Sequence, residues 1–250
     1  MLRGFYTAAN GIFTENRILN VRSNNIANLK TAGYKSDEPI PTTFAENLLL
    51  INGRKSETGT IRYRTLDETY TSLEQGTMEE TGSSLDAAII GSVYFNVERY
   101  SDGERLLTKD GQFDISGDGY LELGNCGRVL DANGDYIQLT SSDFYIDENG
   151  VINTDDGRQI TLGLTHLDEA DDVEKIGDNL FRPYNGYGIG DIPAGTKYSV
   201  RQGWYERSNV DLADEMTKIL DANNVFNANA QALQIINSVN QIACNDLIKK

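Results

Sequence analysis

The sequence is poor in the residues that build disulfide, metal and catalytic centres. It has two cysteines and one histidine among 250 residues. Cys126 and Cys244 are too few for a disulfide framework or a four-cysteine zinc site, and we expect two unpaired thiols, with a bridge between them as the alternative. The single histidine, His166, excludes a histidine-rich metal site and a mechanism that needs two imidazoles. We therefore expect no cofactor and no bound metal.

Positive charge and long apolar runs are also scarce. The chain has 38 acidic and 22 basic residues, for a net charge of −16. This charge repels phosphate backbones, and basic residues form only short groups such as Arg62-Tyr63-Arg64, so we expect no nucleic-acid binding. We expect no membrane span, because no stretch approaches about 18 apolar residues. The first residues, interrupted by Asn10 and Glu15, lack the apolar core of a cleaved signal peptide.

Nothing in the sequence selects an enzyme. It has neither a glycine-rich phosphate loop followed by Lys and Ser or Thr nor a Gly-x-Ser-x-Gly motif. The turn from Asp114 to Gly119 partly matches a calcium loop, but Asn125 stands where such a loop has a bidentate glutamate. A hairpin turn explains the same residues. We interpret the chain as a non-enzyme, with an acidic hydrolase that uses paired carboxylates as an alternative.

A helical pattern occupies the N-terminal segment. Apolar side chains recur at seven-residue steps over residues 1–33, which predicts an amphipathic helix from about residue 3 to residue 30. Gly33 suits the left-handed residue that ends such a helix. The row that we expect at a helix–helix seam consists of Phe5, Ile12, Leu19 and Ile26.

A second helical pattern occupies residues 208–248. Ser208 and Asn209 are residue types that cap helix N-termini, and Asp211 places negative charge at the positive end of the helix dipole. No proline interrupts the pattern, so about 40 residues would form about 60 Å of helix. The seam residues that we expect on this helix are Leu212, Met216, Ile219, Phe226, Leu233, Ile236 and Val239.

The two terminal patterns together predict helix–helix pairing. Their length exceeds what a compact domain of this size needs, which favours a coiled-coil-like seam over ordinary amphipathic helices on a globular core. Asparagine spacers in such a seam set the register. The pairing would form within one chain or between many copies, and it points toward assembly.

The middle of the chain has the pattern of short strands. Turns recur about every eight to sixteen residues, for example at Asp110-Gly111, Asp118-Gly119 and Asn133-Gly134, which favours antiparallel hairpins. We therefore predict a mainly β fold with terminal α-helices. The predicted parts are an N-terminal helix (1–35), an extended connector (36–84), an antiparallel β domain (85–207) and a C-terminal helix (208–250).

Several short sequence motifs resemble motifs of the flagellar rod and hook proteins of bacteria. They occur in the family's order across nearly the whole chain, at residues 4–9, 23–35, 85–95, 107–113, 118–121, 177–181 and 202–211. Lys30 and Ala32 depart from the family, which often has Asn and Pro there. The motif residues that carry the resemblance are Asn24, Asn25, Ala27, Asn28, Gly33 and Tyr34 near the first helix, and Ser208, Asn209 and Asp211 before the second.

The resemblance implies a structural subunit of the flagellar basal-body rod, the axial drive shaft needed for motility. Terminal helices of neighbouring subunits would form an inner coiled-coil tube, and the β domains would form the outer wall. The implied partners are copies of itself, other rod and hook proteins, and the flagellar type III export apparatus, which exports subunits without cleaving a signal peptide.

The position along the axis has several interpretations. The short connector between the first helix and the β domain favours the proximal rod over the distal rod. A hook or hook-related axial protein is the first alternative. A secreted β-domain binding module with capping helices is the second.

Overall fold

The computed structural model describes residues 2–43, 64–124, 126–139, 141, 144–167, 173–183 and 192–248. Arg62, Tyr63, Asn125, the middle of the predicted connector and the side chain of Cys244 lie outside the described part. The chain forms two compact units. We call the first the helix unit (Met1–Ala27, Asp37–Tyr70 and Asp211–Lys250) and the second the β unit (Asn28–Ser36 and Thr71–Val210).

The helix unit contains both terminal helices and a two-stranded sheet. Helix α1 spans Leu2–Ala27 and helix α2 spans Leu212–Ile248, while strands β1 (Asp37–Thr43) and β2 (Arg64–Thr71) pair with each other. The two helices contact each other, and α1 also contacts β1. Neither helix has, over its described residues, a stretch apolar enough to cross a membrane. A coiled-coil-like geometry for this pairing stays a prediction.

Helix α1 ends at Ala27, three residues before the predicted end. Beyond it, the amide of Thr31 bonds to the Asn28 carbonyl and that of Tyr34 to the Thr31 carbonyl, which are turn contacts. Gly33 has the left-handed φ of 64° that the sequence predicts, but it lies six residues past the helix. The helix stops early because residues 28–36 fold as part of the β unit.

The N-cap of α2 also differs from the prediction. Asp211 Oδ1 accepts hydrogen bonds from the amides of Ala213 at 2.8 Å and Asp214 at 3.2 Å, so Asp211 is the cap. Ser208 Oγ instead accepts from the Val210 amide. Ser208 and Asn209 are therefore not caps, because their side chains make hydrogen bonds within the β unit.

The β unit is a set of short antiparallel strands. Its largest sheet has the order β14-β15-β6-β5-β9-β8-β7, with β13 also paired to β5, and β10-β11-β12, β16-β4 and β17-β3 form smaller sheets. The strands are β3 (Met78–Glu80), β4 (Ala87–Ile90), β5 (Val93–Arg99), β6 (Arg105–Thr108), β7 (Asp114–Ile115), β8 (Leu121–Leu123), β9 (Gly127–Val129), β10 (Phe144–Ile146), β11 (Val151–Thr154), β12 (Gln159–Thr161), β13 (Leu164–His166), β14 (Val173–Gly177), β15 (Leu180–Pro183), β16 (Ser199–Gln202) and β17 (Trp204–Glu206).

Alternation of side chains along these strands builds the core of the β unit. In β8, Leu121 and Leu123 are buried on either side of the outward-facing Glu122. The calcium-like turn is a hairpin turn, since β7 and β8 pair with Asp114 opposite Glu122 and Gly119 at a φ of 83°. The predicted mainly β fold, with antiparallel sheets and two terminal helices, is confirmed.

Candidate assembly site at the chain termini

The two helices run antiparallel within the helix unit. A Cβ added to Gly4 would lie 3.4 Å from Ile236 Cδ1, and one added to Gly11 would lie 2.5 Å from Asn229 Nδ2. Farther along, Arg22 meets Glu215. Positions thus rise along α1 as they fall along α2. Gly11 allows the close approach of Asn229, because a larger residue would force that side chain to move.

A polar cluster closes one end of the helix pair. Arg22 Nη1 lies 2.9 Å from Glu215 Oε1, and Asn25 Nδ2 donates to the same oxygen at 3.2 Å. Asn25 also pairs with the backbone of Asp37 in β1, donating to its carbonyl at 2.9 Å and accepting from its amide at 3.0 Å. All three side chains are buried. Asn25 therefore fixes the path of the chain beside the helix pair.

Sequence reasoning selected Asn25 but missed Arg22 and Glu215. Glu215 Oε2 and Arg22 Nε are buried and have no hydrogen-bond partner among the described residues. A buried ion pair of this kind is costly to break, because removal of one member strands the other charge. The available sequence signal was that Arg22 and Asn25 lie three residues apart, on the same face of α1.

The predicted seam residues fall into two groups in the helix unit. The first group is half-buried and comprises Phe5, Ile12, Leu19, Ile26, Ile219, Phe226, Leu233 and Ile236. The second group is exposed and comprises Leu212, Met216 and Val239. Their role in contacts between copies stays a prediction.

Several apolar side chains of the helix pair remain in contact with solvent. Phe13 is 69% exposed and Leu220 is 64% exposed. Tyr6 lies seven residues before Phe13 and is exposed on the same side of α1. On α2, Ile235 and Ile242 are also seven residues apart and both exposed. Each helix thus carries apolar surface that the other helix leaves uncovered.

The motif residues of the β unit surround a second buried ion pair. Lys35 Nζ lies 2.7 Å from Glu206 Oε1 and also donates to the Glu74 carbonyl at 2.7 Å. The Gly76 amide donates to the same oxygen of Glu206. Lys35 and Glu206, whose side chains are 0% and 1% exposed, join the segment after α1 to the strand before α2.

Gly33, Tyr34 and Asn209 support this pair. The Gly33 amide donates to the Glu206 carbonyl at 2.7 Å. Lys175 Nζ lies 3.9 Å from the ring centroid of the buried Tyr34. Asn209 Oδ1 accepts from the Ser36 amide at 2.7 Å, while Nδ2 donates to the carbonyls of residues 72 and 74.

The remaining motif residues have smaller roles in the described contacts. Asn24 and Ala27 are exposed near the end of α1. Asn28 Oδ1 accepts from the Thr31 hydroxyl at 3.2 Å within the turn that follows. Ser208 is buried beside Val210.

Burial also perturbs titratable groups near the second ion pair. Burial lowers the pKa of Lys109 to about 8, an effect that Glu206 opposes and Lys35 reinforces. The pKa of Tyr94 is raised, first by burial and then by the negative charge of Glu206. Lys109 Nζ donates to the Gly91 carbonyl at 2.6 Å, so its polar contact is to the backbone. These groups are enclosed, which favours a structural role over a catalytic one.

Family models match both ends of the chain, and related proteins align with it over nearly its full length. Residues 5–35 match the family model of the flagella basal body rod protein, and residues 201–245 match that of the flagellar basal body rod FlgEFG protein C-terminal region. The flagellar basal-body rod protein FlgG of Bacillus subtilis is 29% identical, covering 98% of this chain and 99% of the relative. These matches confirm the resemblance that the motifs indicate.

Two further relatives are a different rod protein and a hook-basal body complex protein. The flagellar basal-body rod protein FlgF of Caulobacter vibrioides is 28% identical, covering 93% of each chain. The flagellar hook-basal body complex protein FlhP of Bacillus subtilis is 26% identical, covering 96% of this chain and 100% of the relative.

Proposed function

The chain is a homologue of the flagellar basal-body rod proteins, and from this premise we propose that it is a structural rod subunit that polymerises through its terminal helices. The observation that carries the proposal is the apolar surface that the helix pair leaves exposed. The helix pair of another copy of the chain packs against this surface. In the polymer, these helices form the inner coiled-coil-like tube and the β units form its outer wall.

The size of the exposed side chains supports contact between many copies. Full burial of one large apolar side chain stabilises by about 1.5–3 kcal/mol, whereas association costs at least about 4 kcal/mol in lost freedom of motion. A single contact at Phe13 or Leu220 is therefore insufficient. A polymer buries both, together with Tyr6, Ile235 and Ile242, in every repeat.

The charge pattern of α2 supports the same assembly. Residues 222–245 contain no Asp, Glu, Lys or Arg, in a chain whose net charge is −16. Like-charged copies repel each other, so an uncharged stretch is where they approach at the lowest electrostatic cost. Asparagines within this stretch, such as Asn223 and Asn237, supply side-chain amides that set the register between copies.

Within the rod we assign the chain to the proximal segment, because no long insertion separates α1 from the β unit. Its partners are other rod and hook proteins, and it reaches the basal body through the flagellar export apparatus. A hook-related position is the second candidate, favoured by the similarity to the flagellar hook-basal body complex protein FlhP. Electron microscopy of basal bodies from deletion cells separates the two. Loss of the rod supports the first position, and a complete rod without a hook supports the second.

Polymerisation is tested with charges placed on the exposed apolar side chains. Phe13→Asp and Leu220→Asp change residues that face solvent, so both variants should keep the helical circular dichroism of the parent. We expect sedimentation and negative-stain microscopy to show no polymer for either. Asn149→Asp adds the same charge to an exposed turn of the β unit and should polymerise normally. Normal polymerisation of both helix variants would overturn the proposal.

A further inference from the structure

The β unit has an open groove between the strand β10 and the strands β16 and β17. Its volume is about 700 Å³, within the range of about 300–1,000 Å³ that is usual for small-molecule sites. Three segments line it, and they supply Tyr145 and Glu148, Arg201 and Trp204, and Glu80 and Gly82. Trp204 is the only tryptophan of the chain.

The side chains that line this groove have unused hydrogen-bonding groups. Within the described part of the chain, the Tyr145 hydroxyl, the Trp204 indole N–H and the carboxylates of Glu80 and Glu148 make no hydrogen bond or ion pair. The guanidinium carbon of Arg201 lies 5.9 Å from the centroid of the Trp204 ring. Donors and acceptors therefore converge on one open space without partners from the protein.

Other surface tyrosines of the β unit differ in this respect. The hydroxyl of Tyr100 donates to Glu122 at 2.6 Å, that of Tyr205 donates to Glu79 at 3.0 Å, and that of Tyr136 donates to Glu98. Tyr145 is the most exposed of the large apolar or aromatic side chains described in the β unit, at 60%. Its free hydroxyl is consistent with a role in binding rather than in folding.

Gln202 holds the walls of the groove in place. Its Nε2 donates to the carbonyls of Ser84 at 2.7 Å and Phe144 at 2.9 Å. Its Oε1 accepts from the Ile146 amide at 3.1 Å. One half-buried side-chain amide thus joins the three segments that line the groove.

We propose that this groove binds a neutral oligosaccharide. The faces of Trp204 and Tyr145 offer flat apolar surface for the C–H face of a pyranose ring. Glu80 and Glu148 accept hydrogen bonds from sugar hydroxyls, and Arg201 and the indole N–H donate to sugar oxygens. Two carboxylates against one guanidinium in a strongly acidic chain disfavour an anionic ligand. A polyhydroxylated neutral ligand satisfies every one of these groups.

Trp204 supplies the assay, since it is the single tryptophan of the sequence and it lines the groove. The full-length protein is titrated with cellohexaose and with hexa-N-acetylchitohexaose, two neutral β-linked pyranose chains that differ in the N-acetyl group. We expect at least one of them to change the Trp204 emission in a saturable way. A response to the second alone would identify amino sugars as the source. No response to either, confirmed by calorimetry, would overturn the proposal.

Variants then locate the binding. Tyr145→Ala should weaken the affinity measured by calorimetry by about tenfold, the equivalent of one lost stacking contact. Tyr136→Ala removes an exposed tyrosine outside the groove and should leave the affinity unchanged. Trp204→Phe keeps an aromatic ring and, if it retains the parent's melting temperature, should weaken binding less than Trp204→Ala. Binding that is insensitive to Tyr145 and Trp204 would place the ligand elsewhere and refute the assignment.

Discussion

Removal of the Glu206 carboxylate should destabilise the β unit strongly. In Glu206→Ala, the buried Lys35 ammonium keeps only the Glu74 carbonyl, and the Gly76 amide loses its acceptor. Lys109, whose charge Glu206 also favours, remains nearby as a second buried cation. Breaking a buried ion pair by removing one partner costs about 3–5 kcal/mol. We expect a loss of this size in the free energy of unfolding.

The assay is urea unfolding followed by Trp204 fluorescence, because Trp204 lies in β17 two residues before Glu206. Lys35→Met should be destabilising as well, since it leaves the Glu206 carboxylate buried without its cationic partner. The double variant Lys35→Met/Glu206→Met removes both charges and should lose less than the two single variants together. A single-variant loss below about 1 kcal/mol, or strictly additive losses, would refute the view that this pair is a coupled buried unit.

Two further changes test the segment that packs against Asp110. Gly33→Ala should lower the free energy of unfolding by about 2 kcal/mol or more, because φ is 64° and the new Cβ would lie 2.4 Å from the Asp110 amide nitrogen. Gly117→Ala is the control, because a Cβ at position 117 would have no atom within 4 Å. Equal midpoints of urea unfolding for the two variants would contradict this prediction. Burial raises the pKa of Asp110 to about 6, above its unfolded value, so stability should fall by about 2 kcal/mol from pH 4 to pH 6. Asp110→Asn should reduce this fall in thermal melts; an unchanged pH profile would show that Asp110 is not its source.

Local patterns predicted the parts of the fold that depend on local physics. Seven-residue periodicity indicated both helices, Asp-Gly turns indicated the hairpins, and a glycine was predicted at the left-handed position 33. The predicted end of α1 was wrong because residues 28–36 fold with the β unit. The spacing of apolar residues along a helix carries no information about such tertiary contacts. The N-cap was misplaced because Ser208 and Asn209, both good caps by type, make other hydrogen bonds.

The polar contacts of the candidate site could not be predicted from spacing. Lys35 and Glu206 are 171 residues apart, and Arg22 and Glu215 are 193 residues apart. The sequence around a charged residue does not show whether it has a distant buried partner. Most charged side chains are exposed to solvent, so exposure is the default expectation. The groove at Trp204 was missed for a related reason, since three segments that are distant in sequence supply its walls.

The central claim is that apolar surface on the helix pair contacts other copies of the chain. The most direct measurement replaces Phe13 with the photoreactive residue benzoylphenylalanine and irradiates the protein under assembly conditions. Mass spectrometry should find position 13 cross-linked to a terminal helix of another copy, giving dimers and longer products. The same residue at position 136, on the β unit, should not cross-link to a terminal helix. Products only within single chains at position 13 would contradict the account.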